Sequence, residues 1–248
     1  MAYRAVLFDL FDTLVMFDRE RLPLIEVNGK SLRSTAGRLH AVMARHFPSM
    51  SLDTVHAGLM ESWKEAERQR AIDHREVAAA ERFAHFLTCV AVDPATCPSG
   101  LVQSLMDTHR HELGKVAAFP PHHVPLLEKL AERYQLAVVS NFDYTPTALD
   151  ILERAGVAGL FQEIVVSDGI GWRKPHARIF EETLTRLRVR PADALFVGDR
   201  IDIDVIGAQR SGMDSAWINR DATPRPVDLA PPTFEIRDLE ELAGILDV

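Results

Sequence analysis

The first strand-like segment of this 248-residue chain lies far from the strands that it needs as neighbours. Residues 5–10 read AVLFDL, a short apolar run ending in an acid, which is typical of a buried strand. Residues 34–116 instead carry apolar side chains at three- and four-residue spacing, which predicts helices. After Pro120-Pro121, strand-like runs alternate with helical segments, which indicates parallel βαβ units. The sequence therefore predicts a doubly wound, Rossmann-like α/β core that is interrupted by an inserted helical domain.

The change in pattern also predicts where the two domains begin and end. We expect the α/β core in residues 1–15 and 119–248, and the helical domain in residues 16–118. Asn28-Gly29 lies between alternating residues, so we expect a short hairpin near residues 25–32. Helices of the inserted domain are expected near residues 34–47, 51–73, 76–91 and 99–116. The later core strands are expected near residues 135–139, 163–166, 194–197, 215–218 and 234–236.

Composition excludes several classes of protein. Acidic residues outnumber basic ones by 36 to 28, so the chain lacks the basic footprint of a general nucleic-acid binder. No apolar run reaches the length of a membrane span. The N-terminal residues lack a signal-peptide layout, and two cysteines, Cys89 and Cys97, cannot supply a disulfide framework, so we expect free thiols and a cytoplasmic location. Nothing in the sequence marks a subunit interface.

Polar residues follow several predicted strands at the points where those strands end. Asp9 ends the first strand, Ser140-Asn141 follows the second, and Asp199 and Asp204 follow a later one. Lys174 precedes a predicted helix. Ligands of open α/β sheets bind beyond the carboxyl ends of the strands, so we expect these groups to share one edge of the sheet. Such a set suits a carboxylate nucleophile, a phosphate clamp and a site for a hard cation.

In this order, Asp9, Ser140, Lys174 and the Gly198-Asp199 segment resemble the four motifs of the haloacid dehalogenase superfamily. The resemblance is greatest to its phosphatases with an inserted helical cap. It implies hydrolysis of a small phosphorylated metabolite, with Asp9 attacking phosphorus to form an aspartyl-phosphate. It also implies that Ser140 and Lys174 are catalytic and bind phosphoryl oxygens, with help from the amide groups of Asn141.

The same resemblance implies that the cofactor is Mg²⁺. Its implied ligands are one Asp9 oxygen, the backbone carbonyl of Phe11 and Asp199, with Asp204 supporting the ion directly or through water. Three carboxylates alone would repel a phosphate, whereas Mg²⁺ and Lys174 together would bring the local charge close to neutral. Charge neutralisation and positioning are what phosphoryl transfer chiefly requires.

Phe11 departs from the family pattern, because most of these phosphatases carry a second Asp at this position. That Asp protonates the leaving oxygen, and general acid–base help of this kind is worth ~10² to 10⁴-fold in rate. Asp12 is the nearest carboxylate, but adjacent strand residues point to opposite faces, so we expect it to shape the turn. An acid could instead come from the inserted domain, where the candidates by sequence position are Asp18, His74 and Glu76.

Three alternatives to a phosphatase remain open. The true haloacid dehalogenases carry Tyr at the position of Phe11, but they lack the acidic loop that Asp199 and Asp204 supply here and work without metal. The phosphonatases have a small residue at that position and use a cap lysine as a Schiff base, for which Lys30 and Lys64 are available. The third alternative is a weakly active or inactive phosphate-binding or regulatory protein.

The histidines do not predict a zinc site. His109 and His111 are two residues apart and therefore lie on different faces of a helix. His122-His123 follows two prolines and is interpreted as the start of a helix. No HExxH motif is present. Asp202 is likewise interpreted as a helix cap rather than as a ligand.

Several residues of the inserted domain have structural interpretations. Trp63, Phe83 and Phe86 lie at helical spacing and are predicted to be core residues rather than a substrate platform. Four arginines near His74 and Glu76 are predicted to form a solvated face, with Arg75 as an alternative substrate-selecting residue. They are Arg68, Arg70, Arg75 and Arg82.

Overall fold

A parallel sheet of six strands organises the core of the computed structural model, which describes residues 3–248. The strands along the chain are β1 (Ala5–Phe8), β2 (Met16–Phe17), β3 (Leu24–Val27), β4 (Lys30–Arg33), β5 (Ala117–Ala118), β6 (Gln135–Ser140), β7 (Glu163–Val166), β8 (Ala194–Gly198), β9 (Asp214–Ile218) and β10 (Phe234–Ile236). The helices are α1 (Ala36–Met43), α2 (Leu52–Asp73), α3 (Ala79–Cys89), α4 (Leu101–Val116), α5 (His123–Ala131), α6 (Thr145–Arg154), α7 (Ser167–Ile170), α8 (Ala177–Leu187), α9 (Ile206–Arg210) and α10 (Leu242–Leu246).

Strand β1 lies in the interior of the sheet, whose order is β10-β9-β8-β1-β6-β7. Phe8, its last residue, is in register with Val138 of β6 on one side and Val197 of β8 on the other. The chain thus extends the sheet through β6 and β7 on one side of β1, then crosses to build β8, β9 and β10 on the other. This strand order confirms the predicted doubly wound core. In such sheets a crevice for ligands forms beyond the carboxyl ends of the strands, where the winding reverses.

Apolar packing on both faces of the sheet holds this edge in place. All four residues of β1 are fully buried, as expected for a strand in a parallel sheet that helices cover. Phe180 of α8 packs edge-on against Phe196 of β8, with ring centroids 5.2 Å apart. The site therefore stands on a rigid, close-packed base.

The chain divides into two compact units. One contains the described residues up to Phe17 together with Ala118–Val248, and the other is Asp18–Ala117. The inserted unit contains α1 to α4 and the antiparallel hairpin β3–β4. Asn28 and Gly29 join the two strands of the hairpin with φ of 49° and 71°, as a two-residue turn with positive φ at both positions requires.

Trp63 does not belong to the core that was predicted for the inserted unit. Phe83 and Phe86 are fully buried and their ring centroids are 5.9 Å apart, as expected. Trp63 is 50% exposed, so its prediction as a core residue was wrong. The buried positions of α2 include Ser62, and the next residue lies about 100° further around the helix.

The predicted solvated face of arginines was wrong for Arg70 and Arg82, which are only 8% and 4% exposed. Arg70 Nη2 lies 2.7 Å from Glu76 Oε1, and the Arg70 guanidinium also donates to the Val77 carbonyl. Arg82 stacks over the Phe83 ring at 4.7 Å. Charges that leave water must be paired, and the sequence spacing alone did not reveal this pairing. Glu76 is thereby engaged in an ion pair, which weakens its candidacy as a catalytic acid.

The structure also decides the role of Asp202 and the state of the two cysteines. Asp202 is not a helix cap: it lies inside a π-helical turn, Ile201–Val205, and pairs with Arg200 at 2.9 Å. Cys89 and Cys97 are free thiols, as predicted. Within residues 3–248, no helix combines the length and the apolar character needed to span a membrane.

Candidate active site

Asp9 stands immediately after β1, in the crevice beyond the sheet. Its backbone N–H donates to the Val197 carbonyl at 2.9 Å, which extends the strand pairing by one residue. The chain then turns sharply, and the N–H groups of Leu14 and Val15 both donate to the Leu10 carbonyl. The Asp9 side chain is therefore held by a well-bonded loop, here called the Asp9 loop (residues 9–15), and the residue is only 8% exposed.

Two side chains from distant parts of the core unit support the Asp9 loop. The Arg220 guanidinium donates to the carbonyls of Asp12 and Thr13. His123 Nδ1 lies 3.1 Å from the Leu14 carbonyl, and since a carbonyl only accepts, Nδ1 is the donor. Burial lowers the pKa of His123, which favours its neutral form. Neither contact is predicted by the sequence pattern.

Lys174 is the cation of the site. Its Nζ lies 2.5 Å from Asp9 Oδ1 and 2.8 Å from Asp204 Oδ1, and the residue is 2% exposed. It also lies 5.2 Å from the centre of the Phe196 ring. Burial lowers the pKa of Lys174 and is the largest single influence on it. The negative charges of the two carboxylates together outweigh burial and raise the pKa, so the ammonium remains protonated.

Ser140 is the last residue of β6 and Asn141 follows it, but their side chains make different hydrogen bonds. Ser140 Oγ is buried and has no hydrogen-bond partner among the described residues, so its hydroxyl is available to a phosphoryl oxygen. Asn141 Oδ1 accepts from the Lys174 N–H at 2.7 Å, and its Nδ2 donates to the Lys174 carbonyl at 2.9 Å. The Asn141 side chain thus positions Lys174, a contact that differs from the expected one with phosphate.

Asp199 and Asp204 come from the turn that follows β8. The Arg200 N–H donates to Asp204 Oδ2 at 3.0 Å, while the Asp204 N–H donates to the Arg200 carbonyl, so the π-helical turn folds Asp204 back toward β8. A Cβ on Gly198 would lie only 2.6 Å from the Asp204 Cβ. Glycine at this position is therefore needed for Asp204 to approach the strand.

The three carboxylates form a site with the donor chemistry of a hard divalent cation. One carboxylate oxygen each of Asp9, Asp199 and Asp204 lies within 4.8 Å of the others. Burial, reinforced by the neighbouring carboxylates, raises the pKa of Asp9 to about 7 and that of Asp199 to about 6. With Lys174 the ionised group carries two excess negative charges, which one Mg²⁺ would balance. The residues present therefore fit the predicted ion.

Phe11 places an aromatic ring at the position where an acid was expected by family resemblance. Its ring centroid is 5.0 Å from that of Phe142 and 6.0 Å from that of Phe17. Asp12 is exposed, has φ of 58°, and accepts from the Phe17 N–H at 3.2 Å through Oδ1. Asp12 therefore shapes the turn, as the sequence predicted, while its charge contributes to the raised pKa of Asp199.

Several known proteins are similar to this chain in sequence or in fold. Residues 49–218 match the family model of haloacid dehalogenase-like hydrolases. Over 98% of its length the chain is 29% identical to a glyceraldehyde 3-phosphate phosphatase of Methanopyrus kandleri, of which it covers 97%. It superposes on the magnesium-bound HAD-hydrolase YfnB of Bacillus subtilis with a TM-score of 0.64 (22% identity, 100% of both chains). For the 2-haloacid dehalogenase of Pseudomonas syringae the TM-score is 0.70 (24% identity, 99% of this chain and 98% of the other). The two structural likenesses describe the fold alone.

Proposed function

This chain belongs to the haloacid dehalogenase-like hydrolase family, and we propose that it is a Mg²⁺-dependent phosphatase of a small phosphorylated metabolite in the cytoplasm. The observation that carries the proposal is the clustering of Asp9, Asp199 and Asp204 within 4.8 Å, with Lys174 bridging two of them. A metal-independent dehalogenase has no use for three carboxylates that a cation must neutralise. A phosphate-ester hydrolase needs that cation to accept an anionic substrate.

Asp9 is the proposed nucleophile. A carboxylate oxygen of Asp9 attacks phosphorus, the bond from phosphorus to the leaving oxygen breaks, and the leaving oxygen keeps the electron pair. Lys174 Nζ and Ser140 Oγ donate to the phosphoryl oxygens and hold them in line for the attack. Mg²⁺ would be held by Asp9, Asp199 and the Phe11 carbonyl, with Asp204 in support, and when bound it supplies the charge that neutralises the phosphate.

The second half of the reaction regenerates Asp9. Water attacks the phosphorus of the aspartyl-phosphate, inorganic phosphate leaves, and the Asp9 carboxylate is restored. Phe11 carries no proton to give, so the leaving oxygen departs without help from that position. We therefore propose that substrates with good leaving groups, such as acyl and aryl phosphates, react relatively faster than alkyl phosphates.

The relatives suggest where a search for the substrate begins. Because a glyceraldehyde 3-phosphate phosphatase aligns with nearly the whole chain, we propose small aldehyde and polyol phosphates as the first compounds to assay. The inserted unit, Asp18–Ala117, is proposed to act as the cap that selects among them.

The decisive experiment measures phosphate release from a panel of phosphate esters. The panel contains glyceraldehyde 3-phosphate, an aryl phosphate and an acyl phosphate, each assayed with Mg²⁺ and with chelator. We expect turnover that requires Mg²⁺ and is abolished by Asp9→Asn, whereas Asp228→Asn, a matched change at an exposed position, leaves the rate unchanged. Turnover that persists in Asp9→Asn would refute the proposed nucleophile.

Phe11 favours one competing activity, because an aromatic ring at this position resembles the dehalogenases. Halide release from 2-haloacids that continues in chelator would support a dehalogenase and overturn the phosphatase. Tight binding of inorganic phosphate without turnover of any ester would instead support a binding or regulatory protein.

A further inference from the structure

A second cluster of potential metal ligands lies in the core unit, apart from the carboxylates of the active site. His122, His123 and Asp238 each offer one ligand atom, and these three atoms lie within 4.8 Å of one another. His122 and His123 are consecutive at the start of α5, while Asp238 comes from the far end of the chain. The sequence spacing predicted no zinc site here, because the third ligand is brought close only by folding.

His123 has the surroundings of a histidine prepared to bind a metal. The residue is 1% exposed, and its Nδ1 donates to the Leu14 carbonyl at 3.1 Å. A hydrogen bond of this kind fixes the orientation of the ring and leaves Nε2 with its lone pair, as in most metal-binding histidines. His122 is exposed, and its ring centroid is 4.6 Å from that of His123. One ligand is thus fixed in the protein interior while the other can adjust from the surface.

Asp238 is also held in place by its own bonds. Its Oδ1 accepts from the Glu240 N–H at 2.9 Å. In a capping box, its side chain also accepts from the Glu241 N–H, and its own N–H donates to Glu241 Oε1 at 3.0 Å. A carboxylate has about four lone-pair sites, so these bonds orient Asp238 and leave it able to bind a metal ion. The guanidinium of Arg220, a positive charge that acts on His123, is engaged with the carbonyls of Asp12 and Thr13.

We propose that His122, His123 and Asp238 form a site for a divalent transition-metal ion, for which Zn²⁺ is the probe. Imidazole nitrogens favour such ions over Mg²⁺, which prefers oxygen ligands. Three protein ligands leave a coordination position for water. This site therefore prefers a transition-metal ion, whereas the all-carboxylate cluster around Asp9 prefers Mg²⁺.

The test uses the full-length chain carrying Asp199→Asn, which weakens Zn²⁺ binding at the active site, in buffer with excess Mg²⁺. We expect one Zn²⁺ per chain by competition with a chromophoric chelator, and a rise in Tm on binding. Adding His122→Ala or Asp238→Asn should weaken binding at least tenfold and remove the rise in Tm. Adding His111→Ala, a change at another exposed histidine, should alter neither.

Other outcomes overturn the proposal. Absence of stoichiometric Zn²⁺ binding to the Asp199→Asn chain would do so, as would binding that His122→Ala and Asp238→Asn leave unchanged. Both altered side chains lie at or near the surface, so circular dichroism and Tm of the metal-free variants separate loss of a ligand from loss of the fold. The readout needs no enzymatic turnover, so its result is independent of the proposed phosphatase activity.

Discussion

The side chain of Asn141 holds the backbone of Lys174 at both its N–H and its carbonyl. The two hydrogen bonds, 2.7 Å and 2.9 Å long, join the end of β6 to a loop 33 residues further along the chain. They fix the point from which the Lys174 side chain reaches Asp9 and Asp204. Asn141 is thus a positioning residue, although it stands next to Ser140, whose hydroxyl is free to contact phosphate.

Asn141→Ala should impair turnover by displacing Lys174. Loss of both hydrogen bonds frees the Lys174 backbone, and a misplacement of about 1 Å in a catalytic group can cost ~10²-fold in rate. We expect kcat/KM to fall by ~10 to 100-fold and Tm to fall by a few degrees. Asn141→Asp keeps the hydrogen-bond acceptor and loses the donor, so its kcat/KM should lie between those of the wild type and Asn141→Ala. A kcat/KM equal to that of the wild type in Asn141→Ala would contradict this role.

Gly198→Ala should disturb the metal site specifically. The added Cβ would collide with the Asp204 side chain, so Asp204 must move away from the other two carboxylates. We expect the apparent affinity for Mg²⁺ to fall at least tenfold, measured as the Mg²⁺ dependence of turnover. Gly244→Ala is the matched control, because a Cβ there meets nothing within 4 Å. Equal Mg²⁺ dependence in the two variants would show that Asp204 tolerates the displacement.

Phe11→Asp tests whether acid catalysis is what the wild type lacks. An acid at this position should raise the rate with alkyl phosphates by ~10-fold or more and change the rate with aryl phosphates much less. The lost contacts with Phe142 and Phe17 should lower the free energy of unfolding by about 1–3 kcal/mol. Phe11→Ala controls for the loss of the ring. No gain with alkyl phosphates would point to an acid supplied from elsewhere.

The stability of the metal-free protein should fall as pH rises. In the folded state the pKa of Asp9 is raised from 3.8 to about 7 and that of Asp199 from 3.8 to about 6, so folding favours their protonated forms. Between about pH 4 and 7 both groups are already ionised in the unfolded chain but still partly protonated in the folded protein. As pH rises through this range they must ionise in the folded protein against burial and neighbouring charges, so the stability present at low pH is lost. Added Mg²⁺ should therefore raise Tm more at pH 8 than at pH 5.

Asp9→Asn provides the variant for the pH experiment. Without the Asp9 charge, the metal-free protein should lose less stability between pH 5 and 8, by an amount on the order of 1 kcal/mol or more in the free energy of unfolding. Lys174 keeps its contact with Asp204 in this variant, so its ammonium remains paired. Parallel pH dependence of Tm in the wild type and Asp9→Asn would show that Asp9 does not titrate in this range.

Local pattern was sufficient to predict most of the secondary structure and the proximity of Asp9 to Asp199 at the sheet edge. The alternation of strands and helices after Pro120 predicted a parallel sheet, and the rule that ligands bind at strand ends predicted that Asp9, Ser140 and Asp199 would be neighbours. Local pattern failed where burial depends on a distant partner. Arg70 was expected in water because its spacing is helical and polar, but Glu76 pairs with it inside the inserted unit.

The sequence by itself determined the fold class, the order of the polar residues along the sheet edge and the aromatic side chain at position 11. These features follow from local periodicity and residue identity, both of which can be read from a short stretch of sequence. Only the tertiary structure decided that Asn141 bonds Lys174, that Gly198 makes room for Asp204, and that His122 and His123 meet Asp238. Each of these contacts joins groups whose distance depends on how the sheet and its connecting turns pack, and that packing is set by the chain as a whole.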